Sequence, residues 1–266
     1  MEFPLDEYCQ RTGAASTGAA SLELLEEMQR TQLYAMPFEN FDIQLGRGID
    51  LSPEHLIDKL IRHRRGGYCF ELNGLFLSAL RSIGFEARPL LARVHVGGEP
   101  TGRGHQLSLV TLSGREWIAD VGFGGACPRA PIPLEHGIES IQGHQTFRLA
   151  PHELGYMLQL KLPDGEWQNL YSFDLTPVVP SDITYGNHFT STHPSSFFTS
   201  ARVAVRSTPE GQSRLFNFNV TTLAAGEELT EQLPDNDTYL AELRTRFGID
   251  LDAEYSDLQT VPTGAT

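Results

Sequence analysis

The chain has 266 residues, 40% of them hydrophobic and 20% charged, with a formal charge of −14 and an isoelectric point near 5.0; this excludes nucleic acid and anionic membrane as general partners, because both demand a basic surface. No apolar run approaches the roughly 18 residues of a membrane-crossing helix, and the opening MEFPLDEYCQR has neither a cationic stretch nor an apolar core, so a cytoplasmic location is expected. Cys9, Cys69 and Cys127 are too few and too irregularly spaced for a disulfide framework, and the length suits one large domain or two to three packed lobes.

The Gly/Ala/Ser run near residues 13–21 and the tail after Gln259 read as edges. Ser21 is positioned to cap a helix carrying Leu22, Leu25 and Met28. Ser52-Pro53-Glu54 supplies a cap, a first-position proline and an early acid before Leu56, Ile57, Leu60 and Ile61. In HRRGGYCFELNG (63–74), Cys69 opens a helix whose apolar face is Leu72, Leu75, Phe76, Ala79, Leu80 and Ile83, with Gly84 as its stop. From Phe85 the pattern turns to strands: FEARPLLARVHV, HQLSLVTL and REWIADVGF, parted by GGEPTGRG and Ser113-Gly114, predict an antiparallel meander. YMLQLKL, EWQNLYSFDL, FFTSARVAVRS and RLFNFNVTTL continue the β character, with PDGE and PEGQ as turns. A last helix, capped by Asp237, runs through Tyr239, Leu240 and Leu243 to Gly248.

Cys69 has two readings at this level: a small apolar residue at the edge of a core, or a thiolate favoured by the helix N-terminus with Arg64 and Arg65 adding positive charge. Gly66 and Gly67 point to a close backbone approach just before the helix. A catalytic thiol needs a histidine and a group to orient it. His63, His136, His144 and His152 fall in polar or loop surroundings and His55 in a helix start, whereas His105 begins a strand. An even loop pairing Leu112 with Arg115 sets His105 opposite Gly122 and makes Asp120 its diagonal neighbour on the same face; an odd loop turns Asp120 away. Cys69, His105 and Asp120 can then serve as nucleophile, base and orienter. DVGFGG lacks the lysine and serine or threonine of a phosphate loop, and Cys69, His105 and Cys127 lack paired metal-ligand spacing, so no metal is expected.

Taken together, PFENFD (37–42), RGGYCFELN (65–73), GHQLSLV (104–110), DVGFGG (120–125) and THPSSFF (192–198) resemble the signature segments of the arylamine N-acetyltransferases. The last thirty or so residues offer no distinctive match, and Cys127 has no evident family role beyond a bystander or a second reactive thiol. The resemblance implies an α+β fold with a helical N-terminal lobe (1–84), an antiparallel β-barrel-like middle lobe (85–184) and an α/β C-terminal lobe (185–266). It implies a Cys69-His105-Asp120 triad of cysteine-protease-like, transglutaminase-like type. Acetyl would pass from acetyl-CoA through a thioester on Cys69 to an arylamine, arylhydrazine or arylhydroxylamine, a reaction of xenobiotic metabolism.

Under this reading Phe38 and Phe123 are candidates to stack on the acceptor. Arg103, Gly104, Gly124, Gly125, His193 and also Arg129 are candidates to meet CoA, while Arg65 pairs with Glu39 and Asn40 to hold PFENFD against the Cys69 turn. Two rivals share these residues: a hydrolase that gives its acyl group to water, and a protein that only binds CoA or an aromatic ligand.

Overall fold

The helical part begins with α1 (Leu5–Thr12) and α2 (Leu22–Ala35), the latter capped by Ser21, whose Oγ accepts the Leu24 N–H at 3.2 Å. The computed structural model describes residues 2–15, 18–224 and 226–261; parts of the two expected edge segments, residues 16–17 and 262–266, lie outside them. Strand β1 (Phe38–Glu39), α3 (Phe41–Gln44) and α4 (Pro53–Leu56) follow, and α4 continues into a π-helical turn, Ile57–Arg62. Ser52 does not cap α4 with its side chain; its carbonyl accepts the Leu56 N–H instead. Helix α5 (Cys69–Ile83) ends at Gly84 in the left-handed conformation (φ 102), where a side chain would be strained.

Strands β2 (Glu86–Val94), β3 (His105–Leu112), β4 (Arg115–Ala119), β5 (Ile132–Pro133), β6 (Ser140–Gln142), β7 (Gln145–His152), β8 (Gly155–Lys161) and β9 (Trp167–Phe173) form an eight-stranded antiparallel sheet in the order β5-β4-β3-β2-β9-β8-β7-β6. The expected meander is β2-β3-β4, and the sheet curls into a nearly closed barrel that brings β5 back beside β7. The near-continuous apolar character of β2 and β3 has a plain cause. Leu90, Ala92, Leu107 and Leu109 face the barrel interior, while Leu91 and Val110 join the core under α5. Both faces are buried, so strict alternation is lost.

Helices α6 (Pro180–Thr192) and α7 (Phe197–Ser200) precede β10 (Val203–Ser207), β11 (Gly211–Phe216), β12 (Asn219–Ala224) and β13 (Glu227–Gln232). Helix α8 (Thr238–Glu242) then runs into a π-helical turn, Leu243–Phe247. A five-stranded antiparallel sheet, β1-β10-β11-β12-β13, gathers Ala204, Leu215, Val220, Tyr239, Leu243 and Phe247 into a third core with Phe41. The pairing of Phe38 with Val205 and Glu39 with Ala204 draws PFENFD into this C-terminal sheet.

Several expectations are corrected here. FFTSARVAVRS is not one strand: Ser196 Oγ accepts the Phe198 N–H at 3.3 Å and caps α7 ahead of β10. RLFNFNVTTL is split by a hairpin at Asn217, whose positive φ of 54 suits asparagine. REWIADVGF leaves the sheet at Ala119. Asp237 makes no side-chain cap; Asn236 Oδ1 accepts the Thr238 N–H instead. Helix α6 has no apolar stripe to announce it, and it starts on Pro180 with Asp182 Oδ2 accepting the Val179 N–H at 3.0 Å. The boundary expected between residues 184 and 185 falls inside α6.

Candidate active site

The glycines before Cys69 meet the chain of PFENFD. Gly67 N–H donates to the Pro37 carbonyl and its own carbonyl accepts the Glu39 N–H at 2.9 Å, while a Cβ on Gly66 would stand 2.1 Å from the Pro37 oxygen. Only bare backbone fits there. Arg65 lies in this joint, but its partners differ in part from those expected. Its Nε and Nη2 reach Glu39 Oε1 at 3.0 and 2.6 Å, and Nη2 also reaches Asp42 Oδ1 at 3.3 Å. Asn40 turns away, its Nδ2 donating to the carbonyls of Phe198 and Ala201 and its Oδ1 accepting the Val203 N–H. With Arg65 committed to two carboxylates and Arg64 exposed to solvent, neither arginine adds a free positive charge at the thiol.

Cys69 is the first residue of α5 and is buried, its Sγ donating to the Gly104 carbonyl at 3.6 Å. The hairpin between β3 and β4 has the even register, Leu112 opposite Arg115 and Ser108 opposite Ala119. Continued past the strand end, it sets Asp120 diagonal to His105, and His105 Nε2 and Asp120 Oδ2 lie 2.7 Å apart. The other carboxylate oxygen accepts Asn73 Nδ2 at 2.9 Å and the Gly122 N–H at 2.8 Å. Asn73 also accepts the Val121 N–H and donates to the Gln106 carbonyl, so one side chain of α5 grips both the strand that carries the histidine and the turn that carries the acid. It sits four residues after Cys69, on the same helical face. A polar residue inside an apolar helical pattern was the signal that sequence reasoning passed over.

Burial opposes the charged forms of both His105 and Asp120, but their mutual attraction outweighs it. His105 is pushed up to about 10 by the Asp120 charge and hydrogen bond, with a hydrogen bond to Cys69 and its charge adding to the effect. Asp120 is held below the ordinary carboxylate range by the His105 charge and by hydrogen bonds from His105, Asn73 and Gly122. The arrangement favours an imidazolium between a carboxylate and a sulfur.

Phe123 stands edge-on to His105 and Tyr171, with centroids 5.0 and 4.8 Å apart, and is half-buried. Phe38 is almost fully covered and packs on Phe198. Cys127 clasps the turn from Asp120 to Phe123: its Sγ donates to the Asp120 carbonyl at 3.3 Å and accepts the Phe123 N–H at 3.4 Å. Burial, aided by the Asp120 charge, pushes this thiol well above its ordinary range, which suits a neutral structural group rather than a second reactive thiol.

Of the residues expected near CoA, Gly104 touches Cys69, and Arg103 is half-buried with Nη2 at 3.4 Å from Asp174. Gly124 takes a positive φ of 75, and Gly125 lies against Arg214, whose Cδ would be 3.0 Å from a Cβ there. His193 is exposed and stacks on Phe189, with centroids 4.5 Å apart. Arg129 does not belong at a mouth: it is buried and donates to the Tyr34 hydroxyl and the carbonyls of Thr208, Pro209 and Gly211. Helix α6 covers this region closely, since a Cβ on Gly186 would meet Phe70 Cζ at 2.7 Å and the Arg103 carbonyl at 3.1 Å.

A family model described as N-acetyltransferase matches residues 21–256. The arylamine N-acetyltransferase / N-hydroxyarylamine O-acetyltransferase of Salmonella typhimurium is 38% identical over 92% of this chain and 88% of its own length. The chain belongs to the arylamine N-acetyltransferase family. The match runs to residue 256, well into the terminal stretch that carries no distinctive motif. The Escherichia coli arylamine N-acetyltransferase is 35% identical over 93% of this chain and 89% of its own. Among solved structures, that of the Salmonella typhimurium enzyme has a TM-score of 0.90 at 35% identity, covering 95% of both chains. The Mycobacterium marinum enzyme in complex with CoA has a TM-score of 0.90 at 32% identity, covering 96% of this chain and 97% of its own. Among the described residues no helix is long and apolar enough to cross a membrane.

Proposed function

We propose that this family member moves acetyl from acetyl-CoA to the nitrogen of an arylamine, arylhydrazine or arylhydroxylamine in two half-reactions, with Cys69 as nucleophile, His105 as acid and base, and Asp120 as its orienter. The observation that carries the reading is the buried chain of contacts from the Cys69 helix through His105 to the 2.7 Å contact with Asp120. In the first half-reaction the Cys69 sulfur attacks the thioester carbonyl, and N–H groups at the start of α5 are candidates to hold the oxyanion. The C–S bond to CoA breaks, and the departing sulfur takes the His105 proton. In the second, the amine nitrogen attacks the acetyl-cysteine carbonyl, His105 accepts the nitrogen's proton, and the Cys69 sulfur leaves.

Phe123, half-buried and held beside His105, is the candidate platform for the aromatic acceptor; Phe38 is a candidate wall behind it. Arg103, Gly104, Gly124, Gly125 and His193 are candidates to meet CoA. Mixing the protein with acetyl-CoA and no amine tests the scheme. A burst of about one CoA per site, an acetyl group on the Cys69 peptide and its discharge by an aromatic amine are expected. Equal CoA release with and without amine would establish the hydrolase instead. No burst, or acetyl on Cys127, would overturn the assignment of Cys69.

A further inference from the structure

Behind the Cys69 turn lies a buried cluster of charges that the proposed reaction does not use. Lys59, in the π-helical turn, places Nζ 2.7 Å from Glu71 Oε1 and 2.6 Å from Asp42 Oδ2. The second Glu71 oxygen accepts the N–H of Tyr68, the residue before Cys69, at 3.0 Å. Glu71 is only 1% exposed, and it is confined: a Cβ on Gly67 would lie 2.9 Å from Glu71 Oε2.

The groups facing the pair come from every neighbouring element. They are Asp42 on α3, Glu39 on β1, Arg65 from the turn before α5, and half-exposed Arg47, 3.7 Å from Asp42. Arg11 of α1 donates to the carbonyls of Leu60 and Arg64 behind them. Tyr68 stands beside both Glu71 and Cys69, and His105, paired with Asp120, meets Cys69. Arg65 is already engaged by Glu39 and Asp42, so Lys59 is the only cation within ion-pair distance of Glu71 among the described residues. Burial pushes the Glu71 carboxyl up, and Lys59 is the strongest influence holding it down.

We propose that Lys59 is a positioning residue for the nucleophile: it keeps the Glu71 cap ionised and matched, so that the turn presenting Cys69 carries no unbalanced negative charge at working pH. This rests on Cys69 being the nucleophile. An unmatched anion two residues from a forming thiolate disfavours it, and a buried carboxyl stripped of its cation is pushed further above its ordinary range. The site therefore needs the neutrality of the pair rather than its charges, and removing both charges is tolerated where removing one is not.

The test follows iodoacetamide labelling of Cys69 against pH, with the labelled peptide identified by mass, in the intact protein. Lys59→Met is expected to show a labelling rate that drops about three- to tenfold as rising pH ionises Glu71, whose carboxyl burial holds above its ordinary range. A thiol's own titration runs the opposite way. Glu71→Gln keeps an acceptor for the Tyr68 N–H and leaves Lys59 in excess, so its labelling midpoint moves to lower pH by about half a unit or more. The double variant returns to the wild-type profile. A Lys59→Met profile parallel to wild type overturns the proposal, as does an unmoved midpoint in Glu71→Gln; the latter decides the matter if Lys59→Met does not fold. Failure of the nucleophile assignment is seen separately, as a wild-type Cys69 that labels like a free thiol and gives no CoA burst.

Discussion

Gly122 rests directly on the backbone of Cys69: a Cβ there would lie 2.9 Å from Cys69 Cα and 2.7 Å from Asn73 Nδ2. The turn that carries Asp120 thus touches the helix that carries the sulfur with no side chain between them. Gly122→Ala must push the two apart, and a shift approaching 1 Å in a reacting group costs about a hundredfold in rate. We expect that loss in the acetyl-CoA burst rate, with thermal unfolding lowered by a few degrees. A burst at wild-type rate would mean that the contact does not set the site.

Arg65→Ala leaves Glu39, buried against Arg65, without a charged partner within ion-pair distance among the described residues. Breaking a buried ion pair from one side costs about 3–5 kcal/mol. A corresponding fall in the urea midpoint is expected, together with weaker anchoring of PFENFD at the Cys69 turn. An unchanged midpoint would show that the pairing contributes nothing to stability.

The buried His105–Asp120 pair makes stability depend on pH in a set direction. The folded His105 titrates near 10, above its ordinary value of 6.5, so its contribution is complete below about 6.5 and drains as pH climbs toward 10. Asp120, held below its ordinary range, contributes at neutral pH and loses that contribution only as pH falls through its lowered value. Between these limits wild type should melt progressively lower from about pH 6.5 to 10, and Asp120→Asn, which removes the charge that raises His105, should lose most of this slope. Melts recorded at three pH values in that window check it; parallel slopes for the two proteins would rule it out.

Phe123→Ala removes the ring held beside His105 and Tyr171. Since only the second half-reaction needs the acceptor, kcat/KM for an aromatic amine should fall about tenfold or more while the acetyl-CoA burst stays within about twofold. Equal losses in both would make Phe123 a packing residue of the barrel.

Sequence by itself determined the features written in short-range chemistry. Cys69 at a helix start, the Gly84 stop and the β2-β3-β4 meander follow from periodicity and turn residues. These depend on neighbours a few positions apart, where backbone geometry leaves few choices. The sequence left the loop after β3 even or odd, and it was the structure that set Leu112 opposite Arg115 and so Asp120 beside His105. Tertiary structure decided what the glycines of RRGGY approach, which carboxylates Arg65 takes and that Arg129 is an internal strut. It also decided that Asn73 grips the acid's turn and that Lys59 reaches Glu71. Those partners are brought together from separate elements, and a buried charge or amide pairs with whichever complementary group the packing leaves within reach, because leaving it unpaired costs more than any local preference.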